Sequence, residues 1–409
     1  MKVHRNQVEQ IVGVLLDVFA GGAPAERAVE ACLKSQVKWG SRDRRMFAEC
    51  VYDLVRWWRL YWNLAGLPDA DCRVPELITS ERVWRAWGAY WLDQGHELPG
   101  LEELGGLSRA QLEAQREVAM TPAIRASIPD WLDYRGESEL AQEWRPLIEA
   151  LNVPAEVFLR TNTLRIGRAA LRQQLLKEGI EADEVAGVPE ALRLRNRRNL
   201  GATPAYRAGL FEVQDAASQQ IAPMLRAQPG QVVIDACAGA GGKTLHLGAL
   251  MKNEGRIIAL DLHRLRLEEL LARARRNGVG IVEPQVITNH GVIERLAGVA
   301  DAVLLDVPCS GLGVLRRKPE TKWRLTHDEV DRMVVLQREI LEDYRQMVKP
   351  GGTLVYATCS VLPSENQRQV RSFLARHGDE WSLDEERHWR PDREGFDGFY
   401  AARLLRAGR

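Results

Sequence analysis

Four short apolar runs constrain what this chain can fold into. They are VVID (232–235), IIALD (257–261), VLLD (303–306) and TLVYAT (353–358), all rich in β-branched residues. Helical stretches such as LRLEELLARARRNG lie between them. Strand–helix alternation of this kind predicts a doubly wound, mostly parallel α/β sheet. In such sheets ligands sit outside the carboxyl ends of the strands. The residues that follow each run are therefore the first place to look for chemistry.

After the first run comes DACAGAGGKT, Asp235 to Thr244, leading into a helix. A glycine-rich strand-to-helix turn brings backbone N–H groups close to a ligand at a positive helix end. Lys243 invites a P-loop reading, but that motif needs glycine six residues before its lysine, where this chain has Cys237. The second run ends in Asp261, at the distance where a carboxylate binds ribose hydroxyls. Loop and acid together, without phosphate-cradle spacing, suit a nucleoside cofactor such as S-adenosyl-L-methionine, with Cys237, Ala238, Gly239, Ala240, Gly241, Gly242, Lys243, Asp261 and Asp306 as its candidate ligands. A structural glycine turn with an exposed aspartate is the plain alternative.

The third run ends in Asp306-Val307-Pro308-Cys309-Ser310-Gly311, and the fourth in Thr358-Cys359-Ser360. Two thiols thus stand at strand ends of one sheet, beside a carboxylate. A thiol becomes a nucleophile only when nearby charge lowers its pKa. Arg316, Arg317, Lys318, Lys322 and Arg324 follow the first thiol against Glu320 and are candidate phosphate contacts; a solvated basic face is the alternative. Pro363 and a capping box Ser364…Gln367 predict the start of a helix.

Upstream, residues 1–92 read as helices. Ser41 is placed to cap one that runs through RDRRMFAECVYDLVRWWRLYW, where Phe47, Val51, Leu54 and Trp58 share a face. Seven of the twelve tryptophans precede residue 92, and their helical spacing favours a core stapled by indoles over a base-stacking surface. The stretch 93–130 reads as a loop and short helix with the domain boundary in it. Residues 157–215 change period: VFLRTNTLRI as a strand, AALRQQLLKE as a helix closed by Gly179, IEADEV as a strand. Arg193, Arg195, Arg197, Arg198 and Arg207 follow with no acid among them, either a phosphate track or a solvated edge strand.

The formal net charge is zero, so nucleic-acid binding must be argued locally. Six cysteines without CxxC pairs fit a reducing cytoplasm and suggest no metal site. The run Ile11–Leu16 is closed by Asp17, which reads as an amphipathic helix and not a signal peptide, and no stretch has membrane-span length.

DACAGAGGKT, ALDLHRLRL, LLDVPCSGLGVLRRKPETKWR, LVYATCSVLPSENQ and GFDGFYAARLLR resemble, in order, the motifs of the RsmB/NOP family of RNA cytosine-5 methyltransferases. FLRTNTLR and FEVQDAASQQ resemble that family's RRM-like module, and GSRDRRMFAECVYDLVRWW resembles the NusB-like domain of its bacterial small-subunit rRNA members. The resemblance implies an all-helical domain at 1–130, a helical linker and RRM-like module at 131–215, and a Rossmann-like methyltransferase domain at 216–409. It implies S-adenosyl-L-methionine as cofactor, 16S rRNA or else tRNA as partner, and a cytoplasmic monomer without metal or membrane. Cys359 would be the nucleophile that adds to cytosine C6, Asp306 would hold the base edge, and Cys309 would assist elimination, with Lys243 nearby. In DNA enzymes of this chemistry the cysteine after the proline is the nucleophile, which would exchange Cys309 and Cys359. An inert RNA-binding scaffold is the alternative of a different class. The chain departs from the family's usual CAAPGGK loop by Gly239-Ala240. It also has Asn289-His290 where an acid near a glycine often meets the adenine side.

Overall fold

A computed structural model describes residues 3–118 and 120–408. It divides into two compact units: residues 1–152 with 315–327, and residues 153–314 with 328–409.

The first unit is helical. Its main helices are α1 (Arg5–Phe19), α2 (Ala25–Ser35), α3 (Ser41–Arg56), α4 (Trp58–Leu64) and α5 (Ser80–Asp93). Val8, Ile11 and Leu15 of α1, Phe47, Val51 and Leu54 of α3 and Val83 and Trp87 of α5 are fully buried in one core. The indoles belong to that core. Trp58 and Trp62 are fully buried, and Trp87 stacks on Trp91 with centroids 5.4 Å apart. Base stacking is thus ruled out for these rings.

Two expectations fail here. Ser41 is the first helical residue and not the cap: Gly40 precedes it, and the Gly40 N–H is taken by Asp43 Oδ2 at 3.3 Å. The helix also breaks at Trp57 (φ −107°, ψ 23°), so α3 and α4 are separate. The unit continues past residue 130 through helices Asp130–Leu140 and Trp144–Leu151, so the division falls at Asn152. These two helices, the first of which opens within SIPDWL, bury Leu132, Trp144, Leu147 and Ile148, which ties them to helical packing.

The second unit carries two sheets. The smaller contains β1 (Phe158–Thr161), β2 (Ala182–Glu184), β3 (Ala191–Leu194) and β4 (Phe211–Val213), all antiparallel, in the order β2-β3-β1-β4. The helix Arg168–Lys177 covers it through Leu171 and Leu175. The arginine-rich stretch begins in β3, an internal strand, so the edge-strand alternative is wrong. Acids distant in sequence answer its charge: Arg193 meets Glu156 at 3.3 Å, and Arg195 meets Asp183 at 2.8 Å.

The larger sheet has seven strands: β5 (Val232–Asp235), β6 (Arg256–Asp261), β7 (Val282–Val286), β8 (Ala300–Asp306), β9 (Val348–Thr358), β10 (Trp381–Trp389) and β11 (Phe399–Arg406). Their order is β10-β11-β9-β8-β5-β6-β7, with β5 to β9 parallel and β11 antiparallel between β9 and β10. The period of two explains its burial on both sides. Ile234, Val303, Leu305, Leu354 and Tyr356 face one layer, with Leu341 and Phe373. Val233, Ala302, Leu304, Val355 and Ala357 face the other, with Ile221, Leu247 and Met251. The chain runs from β5 outward through β6 to β7, then returns to β8 on the other side of β5. That reversal is the switch point where a crevice opens. Among the described residues no helix is long and apolar enough to cross a membrane.

Candidate active site

The switch point brings the ends of β5 and β8 together. Asp235 pairs in register with Leu304, and Asp306 with Ala357 of β9. The expected loop therefore lies beside Asp306, and Lys243 Nζ reaches Asp306 Oδ2 at 2.5 Å. Lys243 is buried and sits 5.5 Å over the Phe399 ring, so the ammonium is held between a carboxylate and an aromatic face.

The glycine-rich turn is built as its sequence requires. Gly239 (φ +53°) and Gly241 (φ +86°) are left-handed, and the helix Gly242–Leu250 starts directly after them. Asp261, ending β6, accepts the Gly239 N–H on Oδ2 at 2.9 Å and the His263 N–H on Oδ1 at 2.7 Å. Space beside Gly239 is open for 4 Å around an added Cβ. Cys237 is hemmed in: burial first, then the charges of Asp235, Asp306 and Asp261, push its thiol well above the ordinary range. Asn289 and His290 are exposed just beyond β7, with His290 Nδ1 3.2 Å from Glu294.

Two groups that support this loop were not among the candidate site residues. Asp235 is buried, accepts the Thr244 hydroxyl at 2.7 Å, and burial pushes its carboxyl up to about 6. Arg273 donates to the Ala240 carbonyl at 2.7 Å and is itself held by Glu212 of β4 at 2.9 Å. The position of Asp235 at a strand end was a usable signal; nothing in sequence linked Glu212, Arg273 and Ala240.

β8 and β9 lie side by side, so their terminal loops do too. Cys309 Sγ and Cys359 Sγ are 3.3 Å apart, both half-buried. The hydrogen bond with Cys359, and then burial, raise the Cys309 thiol well above its ordinary value. A glycine crossing supports Cys359: the Gly313 N–H donates to the Cys359 carbonyl at 2.9 Å, and the Gly398 N–H donates to the Gly313 carbonyl at 2.7 Å. A Cβ on Gly313 would stand 1.9 Å from the Gly398 oxygen, so only glycine fits.

The basic run 316–324 corrects an expectation. Lys322 is fully buried in the helical unit, where its Nζ donates to the Arg56 carbonyl and to Asn152 Oδ1, each at 2.8 Å. Trp323 Nε1 donates to the Val55 carbonyl at 2.7 Å. The break at Trp57 frees those two carbonyls at the end of α3, and the turn 321–324 caps them. Arg316 is also buried, and Arg317 partly so. Lys318 and Arg324 are exposed. Lys322 and Arg316 are therefore structural, not part of a solvent-facing RNA track.

A seven-stranded sheet with an antiparallel strand at this place, a nucleoside-type loop after β5 and acid and thiols after β8 and β9 define a Rossmann-like methyltransferase. Residues 222–405 match the family model described as 16S rRNA methyltransferase RsmB/F, and residues 128–200 match the ferredoxin-like domain model of the same proteins. The ribosomal RNA small subunit methyltransferase B of Pectobacterium atrosepticum is 34% identical over 76% of this chain and 74% of its own length. That of Vibrio cholerae is 34% identical over 76% and 73%. The match to a probable enzyme of that name in Synechocystis is 37% identical and spans 62% of this chain and 57% of the other. Among solved structures, that titled PH0851 superposes with a TM-score of 0.78 at 26% identity over 99% of both chains. A methyltransferase homologue from Pyrococcus horikoshii gives 0.63 at 27% identity over 70% of this chain and 100% of its own. The chain belongs to the RsmB/F family of rRNA methyltransferases.

Proposed function

We propose that this protein transfers a methyl group from S-adenosyl-L-methionine to C5 of a cytidine in small-subunit rRNA through a covalent cysteine adduct. The observation that carries the reading is the pair of thiols 3.3 Å apart beside Asp306 at the ends of β8 and β9. The rRNA part rests on the names of the relatives.

The cofactor's residues are present. The Gly239 face is open, Asp261 stands where ribose hydroxyls are taken, and Asp235, Asp261 and Asp306 make a negative field. That field favours a sulfonium. S-adenosyl-L-methionine supplies an electrophilic methyl group, which C5 of free cytosine is too weak a nucleophile to accept.

Cys359 overcomes this by adding as thiolate to C6, which makes C5 an enamine carbon. Asp306 accepts from the N4 amino group and from N3–H once N3 has taken up, during addition, the proton that the Cys359 thiol gives up; Lys243 fixes the orientation of that carboxylate. Cys359 and burial raise the Cys309 pKa, which keeps a proton on that sulfur to return to the Cys359 sulfur as the latter leaves C6, while the C5 proton passes to solvent water. The base must leave its stack to be reached. Lys318 and Arg324 remain candidate phosphate contacts, since both are exposed.

Covalent trapping tests the reading. Wild type, Cys309→Ala and Cys359→Ala are incubated with S-adenosyl-L-methionine and unmodified small-subunit rRNA. Methylated nucleosides and denaturation-resistant adducts are then measured. An adduct that accumulates with Cys309→Ala and is absent with Cys359→Ala is expected, with 5-methylcytidine from wild type. An adduct with Cys359→Ala alone would exchange the cysteines. Methyl transfer to another atom would refute the C5 assignment.

A further inference from the structure

Glu365 is fully buried and lies six residues beyond Cys359. Its carboxylate receives four neutral donors. Oε1 accepts the Ser310 N–H at 2.8 Å and Gln337 Nε2 at 3.0 Å. Oε2 accepts the Ser310 hydroxyl at 2.5 Å and the Ser360 hydroxyl. Ser310 and Ser360 are the residues directly after the two cysteines.

The same cluster grips the other side of each thiol. Gln337 Nε2 donates to the Pro308 carbonyl at 2.9 Å, so Cys309 is held through both chain neighbours. Asn366, next to Glu365, donates to the Ser360 carbonyl at 2.9 Å and accepts the Thr358 hydroxyl, so Cys359 is held likewise. The Tyr356 hydroxyl, on β9, fixes the Glu365 carbonyl at 2.6 Å. A buried carboxylate is costly unless its acceptors are filled. Here the filling is done by the two loops that carry the thiols, which also meet directly where the Ser310 hydroxyl donates to Ser360 Oγ at 3.2 Å and the Gly313 N–H to the Cys359 carbonyl at 2.9 Å; the carboxylate bridges both serines at once.

We infer that Glu365 is the positioning residue that sets the distance between Cys309 and Cys359, acting through Ser310 and Ser360. Among the described residues no hydrogen bond joins it to either thiol, and its one direct effect on Cys309 is that of a nearby negative charge. It deepens the cysteine chemistry proposed above and rests on it for its effect on turnover, but the thiol spacing can be read without any substrate. Reacting groups must be held to a fraction of an ångström, and a displacement of about 1 Å can cost on the order of 100-fold in rate.

The test uses the full chain with Glu365→Gln and, as a variant that leaves the carboxylate in place, Ser360→Ala. Two readouts are taken. The first is the rate at which diamide cross-links Cys309 to Cys359, followed by peptide mass. The two thiols lose two electrons and two protons and form a disulfide, and the diazene becomes the hydrazine. The second is kcat and KM for methyl transfer. Expected for Glu365→Gln are cross-linking slowed roughly tenfold or more and kcat lowered about 10- to 100-fold, with KM for S-adenosyl-L-methionine within about twofold. Ser360→Ala should show the same split, weaker. Wild-type cross-linking and kcat in a folded Glu365→Gln would overturn the inference. So would a lower kcat with unchanged cross-linking, an equal rise in KM, or a wild type whose thiols do not cross-link. If Glu365→Gln does not fold, Ser360→Ala decides by the same criteria. Slowed cross-linking in the variants, with a wild type that methylates no cytidine, would leave the positioning standing and remove the cytosine reading.

Discussion

Replacing Lys322 by methionine should unsettle the helical unit, although the residue sits in a basic run that reads as an RNA contact. Methionine keeps most of the stem volume. What is lost is the ammonium that serves the Arg56 carbonyl and Asn152 Oδ1, both at 2.8 Å in a fully buried place. Each buried acceptor left unpaired costs about 1–3 kcal/mol. Relief of the buried charge offsets part of this, since burial first and then Arg56 depress the lysine pKa far below its ordinary value. A net loss of roughly 2–4 kcal/mol follows, or a midpoint shift of about 1–2 M urea for a unit of this size. Tryptophan fluorescence is the right probe, because only Trp381 and Trp389 lie outside the helical unit. The pH dependence has a definite sign. The native pKa is lowered, so between it and the unfolded value of about 10.4 the unfolded chain binds a proton that the native state does not. Wild-type stability should therefore rise with pH across that window relative to Lys322→Met. Lys318→Met and Arg324→Met, both exposed, should stay within about 0.5 kcal/mol. The reasoning is refuted if Lys322→Met unfolds with the wild-type midpoint but binds rRNA more weakly with a shallower salt dependence.

Asp235→Asn should stabilise the catalytic unit near pH 7.5 by on the order of 2 kcal/mol, because the native carboxyl is raised to about 6. That penalty is absent below about pH 4 and grows as pH rises through 6, so melting curves at pH 4 and 7.5 check it; an equal shift at both would refute the cause. Gly313→Ala should lower kcat by at least tenfold, since the new methyl group meets the Gly398 oxygen at 1.9 Å and the Cys359 oxygen at 2.7 Å; single-turnover assays decide. Arg273→Met should raise the dissociation constant for S-adenosyl-L-methionine roughly tenfold by freeing the Ala240 carbonyl. Calorimetry measures it, and Arg273→Lys should restore part of the affinity.

The catalytic sheet was legible because each parallel strand is a compact apolar run with a distinct residue at its carboxyl end. β7, VEPQV, escaped because its residues are half-exposed and it carries a proline on an edge. β10 and β11 escaped because β10 is exposed between its two end tryptophans, with a run of charged residues and little apolar signal, and β11 pairs with it. Local capping rules misled twice. Ser41 lies inside its helix, and the helix after Pro363 starts at Gln367 behind Asn366, because Glu365 and Asn366 are committed to the cysteine loops. Among site residues, Asp306, Cys309, Cys359 and the 237–243 loop lie together as their strand ends required. Lys322 misled because charge in sequence says nothing of burial; its partners, Arg56 and Asn152, are remote in the chain.

The capping of α3 by Lys322 and Trp323 also has a consequence for the order in which the molecule can be made. The helical unit includes Leu315–His327, so its last pieces are encoded well inside the catalytic half. On the ribosome the N-terminal helices emerge first, yet the carbonyls of Val55 and Arg56 must wait for their donors until that distant segment is synthesised. At roughly 5–20 residues per second that wait is on the order of tens of seconds. During it the nascent helical unit is open at the end of α3. A fragment stopping at Asn152 should stay in that unfinished state, binding hydrophobic dyes and falling to protease near Trp57, while addition of a peptide spanning 315–327 should close it.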